Sequence, residues 1–126
     1  MSKRLPHDQS EAVFRIAAEL FAVMAAPMRL KIVSALCREE QNVGRLLEVV
    51  GTSQPNLSQH LAALYRAGIV ARRRVGNQIW YSLCNAKAAS LCRAVCTQIA
   101  IELDDPAAVQ PSERLAPAHA SRLSGA

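Results

Sequence analysis

From Glu11 to Ala25, apolar residues recur at Val13, Ile16, Ala17, Leu20, Phe21 and Met24. That is the i, i+3, i+4 spacing of one helix face. Ser10 stands just ahead of the run and is the expected N-cap. The apolar pattern resumes after Pro27, a residue suited to a first helical turn, and predicts a second helix to about Cys37. "REEQN" breaks it. Asn42 can cap a short third helix, "VGRLLEVV", which Gly51 stops. Thr52 or Ser53 caps a fourth helix with Pro55 in its first turn, Leu57, Leu61 and Leu64 as its inner stripe and Gly68 past its end. The period then changes. "IVARRRV", a Gly-Asn turn and "QIWYSL" predict a two-stranded hairpin. Asn85 caps a fifth helix to about Leu103. Residues 1–9 are polar and expected to be loose. Residues 105–126, rich in Ala, Pro and Ser, are expected to be disordered.

The pattern thus predicts a mainly α chain with a small β-hairpin and one domain over residues 10–104. A length of 126 residues agrees with one domain, and 51% hydrophobic residues can supply a core. Aromatics are only 4%, so that core is expected to be Leu, Val, Ile and Ala. The net charge of +5 is unevenly placed. Between Val49 and Ile101 there is no Asp or Glu, while Arg66, Arg72, Arg73, Arg74, Lys87 and Arg93 all fall there. Such a stretch suits a polyanion such as nucleic acid, although a basic face can also be merely solvated. The longest apolar run, "AVFRIAAELFAVMAA", is too short for a membrane span and carries Arg15 and Glu19. "MSKRLPHDQSE" has no signal-peptide pattern. The expectation is a cytoplasmic chain, away from membranes, with its cysteines reduced.

Helices three and four, joined by a tight turn at Gly51, read as a helix-turn-helix whose second helix can enter the major groove. With the leucines turned inward, Asn56, Gln59, Ala63 and Arg66 face outward. Asn and Gln can bond bidentately to adenine, and Ala leaves room for a thymine methyl. Ser53, at the helix start, suits a backbone phosphate. His60 lies between the faces and either contacts phosphate or packs. The hairpin follows without a linker and brings Arg73, Arg74, Asn77 and Gln78 to its tip, though alternation keeps its three arginines from pointing one way. The candidate DNA-binding set is Ser53, Gln54, Asn56, Ser58, Gln59, His60, Arg66, Arg73, Arg74 and Asn77.

"APMRLKIVSAL", "SQPNLSQHLAALYRAGIV" and "GNQIWYSL" resemble the signature blocks of the ArsR family of winged helix-turn-helix repressors, and the likeness covers roughly residues 11–103. The resemblance implies a homodimer built mainly by the first and last helices, an inverted-repeat double-stranded DNA operator, and an effector that releases it. Its metal-binding patterns are not matched here. The third helix has no cysteine, and the last offers no Asp and His pair.

Four cysteines remain to be explained. Cys92 and Cys96 are four residues apart on the fifth helix and share a face. Cysteine packs well as a small hydrophobe. Two thiols one turn apart can also bind a soft ion such as As(III), Hg(II) or Cd(II), and a third would complete a trigonal site. No obligatory cofactor is implied, only such an ion as effector. A second branch of the family resembles a dithiol sensor of oxidants or sulfane sulfur, with one cysteine in helix two and one late in helix five. Ser34 and Ala100 stand at those positions here, and Cys37 and Cys96 lie one turn from them in opposite directions. The candidate sensor set is therefore Cys37, Cys92 and Cys96. Cys84 is either buried beneath the hairpin or a third ligand. A small thiol enzyme would need an anion-binding loop around a cysteine, and none is present. An interaction module that has lost DNA binding would not need the arginine run.

Overall fold

A computed structural model describes residues 7–105. The remainder of the segments expected to be loose, residues 1–6 and 106–126, lies outside the described residues. Eight elements follow in order: α1 His7–Met24, α2 Pro27–Arg38, β1 Gln41–Asn42, α3 Val43–Val50, α4 Gln54–Arg66, β2 Val70–Val75, β3 Gln78–Leu83 and α5 Ala86–Asp104. The described chain forms two compact units, one up to Cys92 and one from Arg93.

The five expected helices form where the pattern places them, with two differences at the edges. Helix α1 starts at His7 and not behind Ser10, so residues 7–9 are helical. The "REEQN" segment is more than a break. Gln41 and Asn42 form a short strand against β3, with Gln41 opposite Tyr81 and Asn42 opposite Trp80. The hairpin is therefore the outer part of a three-stranded antiparallel sheet, in the order β1-β3-β2. Two residues are too few to show an alternating pattern, so nothing in the periodicity announced β1.

In the first unit the core lies where the stripes converge. Ile32, Val33 and Leu36 of α2 and Leu46 of α3 are buried. So are Leu57, Leu61 and Leu64 of α4, with Ile69 and Val70 beyond its end. Ala88 and Cys92 of α5 complete it. Gln41 is the buried polar residue of this core, and its Nε2 donates to the Ala35 carbonyl at 2.9 Å. That bond ties β1 to α2. Helix α1 contributes chiefly its C-terminal end: Met24 is buried and Leu20 packs against the core, whereas Val13, Phe14, Ile16 and Phe21 are exposed.

The second unit contains the rest of α5. Its Val95, Ile99, Ile101 and Leu103 are exposed. Among the described residues no single helix is long and apolar enough to cross a membrane.

Candidate nucleic-acid interface

Both helices of the helix-turn-helix are capped by side chains. The Asn42 Oδ1 accepts from the Arg45 N–H at 2.8 Å, and the Ser53 Oγ from the Asn56 N–H at 3.3 Å. Each satisfies a donor that the first helical turn leaves without an intrahelical partner. Between the helices Gly51 adopts φ +65° and its N–H closes on the Leu47 carbonyl at 3.0 Å. The left-handed backbone there is what lets α3 stop and α4 start at once.

Helix α4 presents Gln54, Ser58, Gln59 and Arg66 to solvent, as its wheel requires when the three leucines are inward. Two expected contact residues also have partners within the protein. Asn56 is half-buried, and its Nδ2 donates to Thr52 Oγ1 at 2.9 Å, bracing the turn. His60 is half-buried and its Nδ1 accepts from Arg29 Nε at 3.1 Å. Arg29 also donates from Nη1 to the Val23 carbonyl at 3.1 Å, so one guanidinium joins the end of α1, α2 and α4. Accepting at Nδ1 puts the proton of a neutral imidazole on Nε2.

The three arginines of β2 separate as strand alternation demands. Arg72 pairs with Tyr81 and Arg73 with Trp80, on opposite faces of the sheet. The Arg72 guanidinium lies 4.0 Å from the ring centre of Tyr65. This cation–π contact docks the hairpin on the last turn of α4. Hydrogen bonding to Tyr81, with a smaller contribution from Tyr65, raises the Arg72 pKa above its ordinary value. Arg73 donates from Nε and Nη2 to both Glu40 oxygens, at 2.8 and 2.6 Å. That bond, and the attraction of opposite charges, lowers the Glu40 pKa and raises that of Arg73. Arg74 is exposed and makes no ion pair or hydrogen bond among the described residues. Gly76, with φ +61°, and exposed Asn77 form the two-residue turn at the tip.

Sequence reasoning missed Arg29, Glu40 and Tyr65. Glu40 lies outside the acid-free span and 33 residues from Arg73, so only the pairing of β1 with β3 brings it near. Tyr65 was legible as an aromatic at the end of α4, but nothing along the chain pointed to Arg72 as its partner.

The cysteines have distinct surroundings. Cys37 is half-buried and packs against the core; Cys92 is buried, its thiol 3.7 Å from the Leu30 carbonyl. Cys96 is exposed. Cys84, which was expected beneath the hairpin or as a third ligand, is exposed, with its sulfur 3.6 Å from the Gly68 carbonyl. It follows the last residue of β3, where the chain leaves the sheet for α5. Among the described residues no three His, Cys, Asp or Glu side chains gather as metal ligands.

A capped helix-turn-helix running directly into a basic hairpin defines a winged-helix DNA-binding regulator. Residues 26–72 match the model of the bacterial regulatory protein arsR family. An HTH-type transcriptional regulator of Mycobacterium tuberculosis, Rv0081, is 39% identical over 102 residues, covering 80% of this chain and 90% of that protein. The solved structure of the transcriptional repressor BigR from Xylella fastidiosa is 39% identical, with a TM-score of 0.68, over 74% of this chain and 95% of that one. A Streptomyces lividans protein named for repression of a mercury resistance operon is 36% identical over 74 residues, 59% of each chain. The chain belongs to the ArsR family: it is a winged helix-turn-helix transcriptional regulator and not an enzyme.

Proposed function

We propose that this chain is a cytoplasmic homodimeric repressor that binds an inverted-repeat operator and releases it when its thiols react with an effector. One observation carries the DNA-binding face. Arg72 over Tyr65 fixes the hairpin against the last turn of α4, which supports reading the recognition helix and the hairpin as one DNA-binding unit. On it, Gln59, with Asn56 and Arg66, reads base edges in the major groove. Ser53, Gln54, Ser58, Arg74 and Asn77 meet phosphate, joined by Arg73 and the Nε2–H of His60. Gln59→Ala is expected to relax sequence preference by about 1–3 kcal/mol of discrimination. Arg74→Ala is expected to weaken all sequences evenly and flatten the salt dependence. Competition among operator variants tests both, and an unchanged preference in Gln59→Ala overturns the assignment of the reading face.

The homodimer is supported by exposed apolar side chains on each unit: Val13, Phe14, Ile16 and Phe21 on α1, and Val95, Ile99, Ile101 and Leu103 on α5. Such faces mark interaction surfaces, and two-fold symmetry then fits a repeated half-site. Sedimentation showing monomers that still bind specific DNA at micromolar concentration would refute it.

For the effector, a soft metal or metalloid ion held by Cys92 and Cys96 is the leading reading, supported by their spacing of one turn on α5 and by the mercury-operon relative. Because Cys92 is buried against Leu30, an ion reaching its sulfur must disturb the packing of α5, which gives binding a route to shape. The second reading, a dithiol switch, is favoured by one observation: Cys37 packs against the same core that holds Cys92. Intact mass after As(III), Cd(II), peroxide or polysulfide separates them, a retained ion supporting the first and a two-proton loss or added sulfur the second. A Cys92→Ser, Cys96→Ser variant that still leaves its operator with all four reagents would show that this pair is not the sensor.

A further inference from the structure

Arg73 lies on the face of the sheet opposite Arg72, and in the DNA-binding reading it meets a phosphate, yet its guanidinium is already engaged. Two of its five donors are spent on Glu40 in a forked, two-point contact. The pair sits at the surface, with side-chain exposures of 62% for Arg73 and 30% for Glu40. Nearby, Asn42 Nδ2 donates to Gln78 Oε1 at 3.2 Å, so the hairpin is held to β1 at a second point as well. The wing therefore does not need Glu40 alone to keep its place, and the carboxylate's main effect is on charge.

Resting on the DNA-binding reading above, we propose that Glu40 is an internal competitor for DNA phosphate, which sets how strongly the wing grips DNA irrespective of sequence. A phosphate approaching Arg73 meets a guanidinium whose charge the carboxylate has cancelled. To bind, it must displace that carboxylate or share the guanidinium beside it, against like-charge repulsion. Either course lowers the net ion release that drives non-specific binding. Such binding keeps a regulator on the many wrong sites of a genome, and Glu40 weakens it while leaving the base-reading face of α4 untouched.

The experiment measures binding of a fluorescent random-sequence duplex to the full chain between 50 and 200 mM salt. Glu40→Gln, which keeps the shape and removes the charge, is expected to tighten binding roughly two- to fivefold. It should also steepen the slope of log affinity against log salt by up to about 0.9. Glu39→Gln is the control for bulk charge, since exposed Glu39 has no ion-pair partner among the described residues; it should have the smaller effect. In an Arg73→Gln background Glu40→Gln should add nothing. Thermal denaturation of each variant shows whether it is folded. Three results would overturn the proposal: a folded Glu40→Gln with unchanged or weaker binding, equal effects of Glu39→Gln and Glu40→Gln, or an effect that persists in Arg73→Gln. A wild-type chain that binds no duplex at any salt would instead sink the DNA-binding reading on which it rests.

Discussion

Replacing Arg29 by Met tests whether one guanidinium joins three helices of the first unit. Methionine keeps an unbranched stem of similar reach and removes the donors. Two hydrogen bonds are lost, each 3.1 Å long: one to His60 Nδ1 on α4 and one to the Val23 carbonyl on α1. Both are part-buried, so water replaces them only in part, and about 1 kcal/mol each is the appropriate scale. The expected total is a loss of about 2 kcal/mol. For a domain of this size each kcal/mol moves the melting temperature by roughly 4–8 °C, so the midpoint should fall by roughly 8–16 °C. The assay is thermal and urea denaturation at one fixed protein concentration, because assembly would add its own stability. A double-mutant cycle with His60→Leu, which extends the stripe of Leu57, Leu61 and Leu64, should isolate a coupling of about 1 kcal/mol between Arg29 and His60. A loss below about 0.5 kcal/mol for Arg29→Met, or strict additivity in the cycle, would show that this guanidinium is a solvated surface group.

Other expectations follow from single contacts. Asn42→Ala removes the α3 cap and should cost about 1 kcal/mol in chemical denaturation. Gly51→Ala meets no steric neighbour but forces a left-handed backbone on an L-residue, and should cost about 1–2 kcal/mol. Cys92→Ala empties a space in the core and should lower stability by about 1–2 kcal/mol, whereas Cys84→Ala, at an exposed site, should change it by less than about 0.5 kcal/mol. The Glu40–Arg73 pair has a sign in pH. Arg73 holds the Glu40 pKa below its ordinary value of 4.5, so whatever stability the pair adds is fully present above that value and is lost as pH falls through the lowered one. The stability difference between wild type and Glu40→Gln should therefore stay constant from about pH 6 to 8 and close only in acid. A difference that changed near neutral pH would contradict this.

The helices were legible because each is fixed by neighbours within a few residues. Leucines three and four apart on α4, a cap at Ser53 or Asn42, and a stop at Gly51 act locally, and a chain carries them wherever it folds. The hairpin was legible for the same reason: a two-residue turn sets the register of both strands. The family likewise could be read from the blocks that these elements carry. Tertiary structure decided which of the exposed cations and amides are already engaged. The acid-free run from Val49 to Ile101 suggested a surface for a polyanion, with Arg73 and Arg74 as contacts, but it did not show that Arg72 lies on Tyr65 or that Arg73 is paired with Glu40. Strand β1 was equally invisible, since its two residues acquire their conformation only by pairing with β3. His60, balanced between packing and contact in the sequence, acquired a partner 31 residues away. Periodicity and capping are properties of adjacent residues, so a chain displays them before it folds. An ion pair or a stacked guanidinium depends on which distant segments meet, and that is settled only when the core closes and brings them within bonding distance.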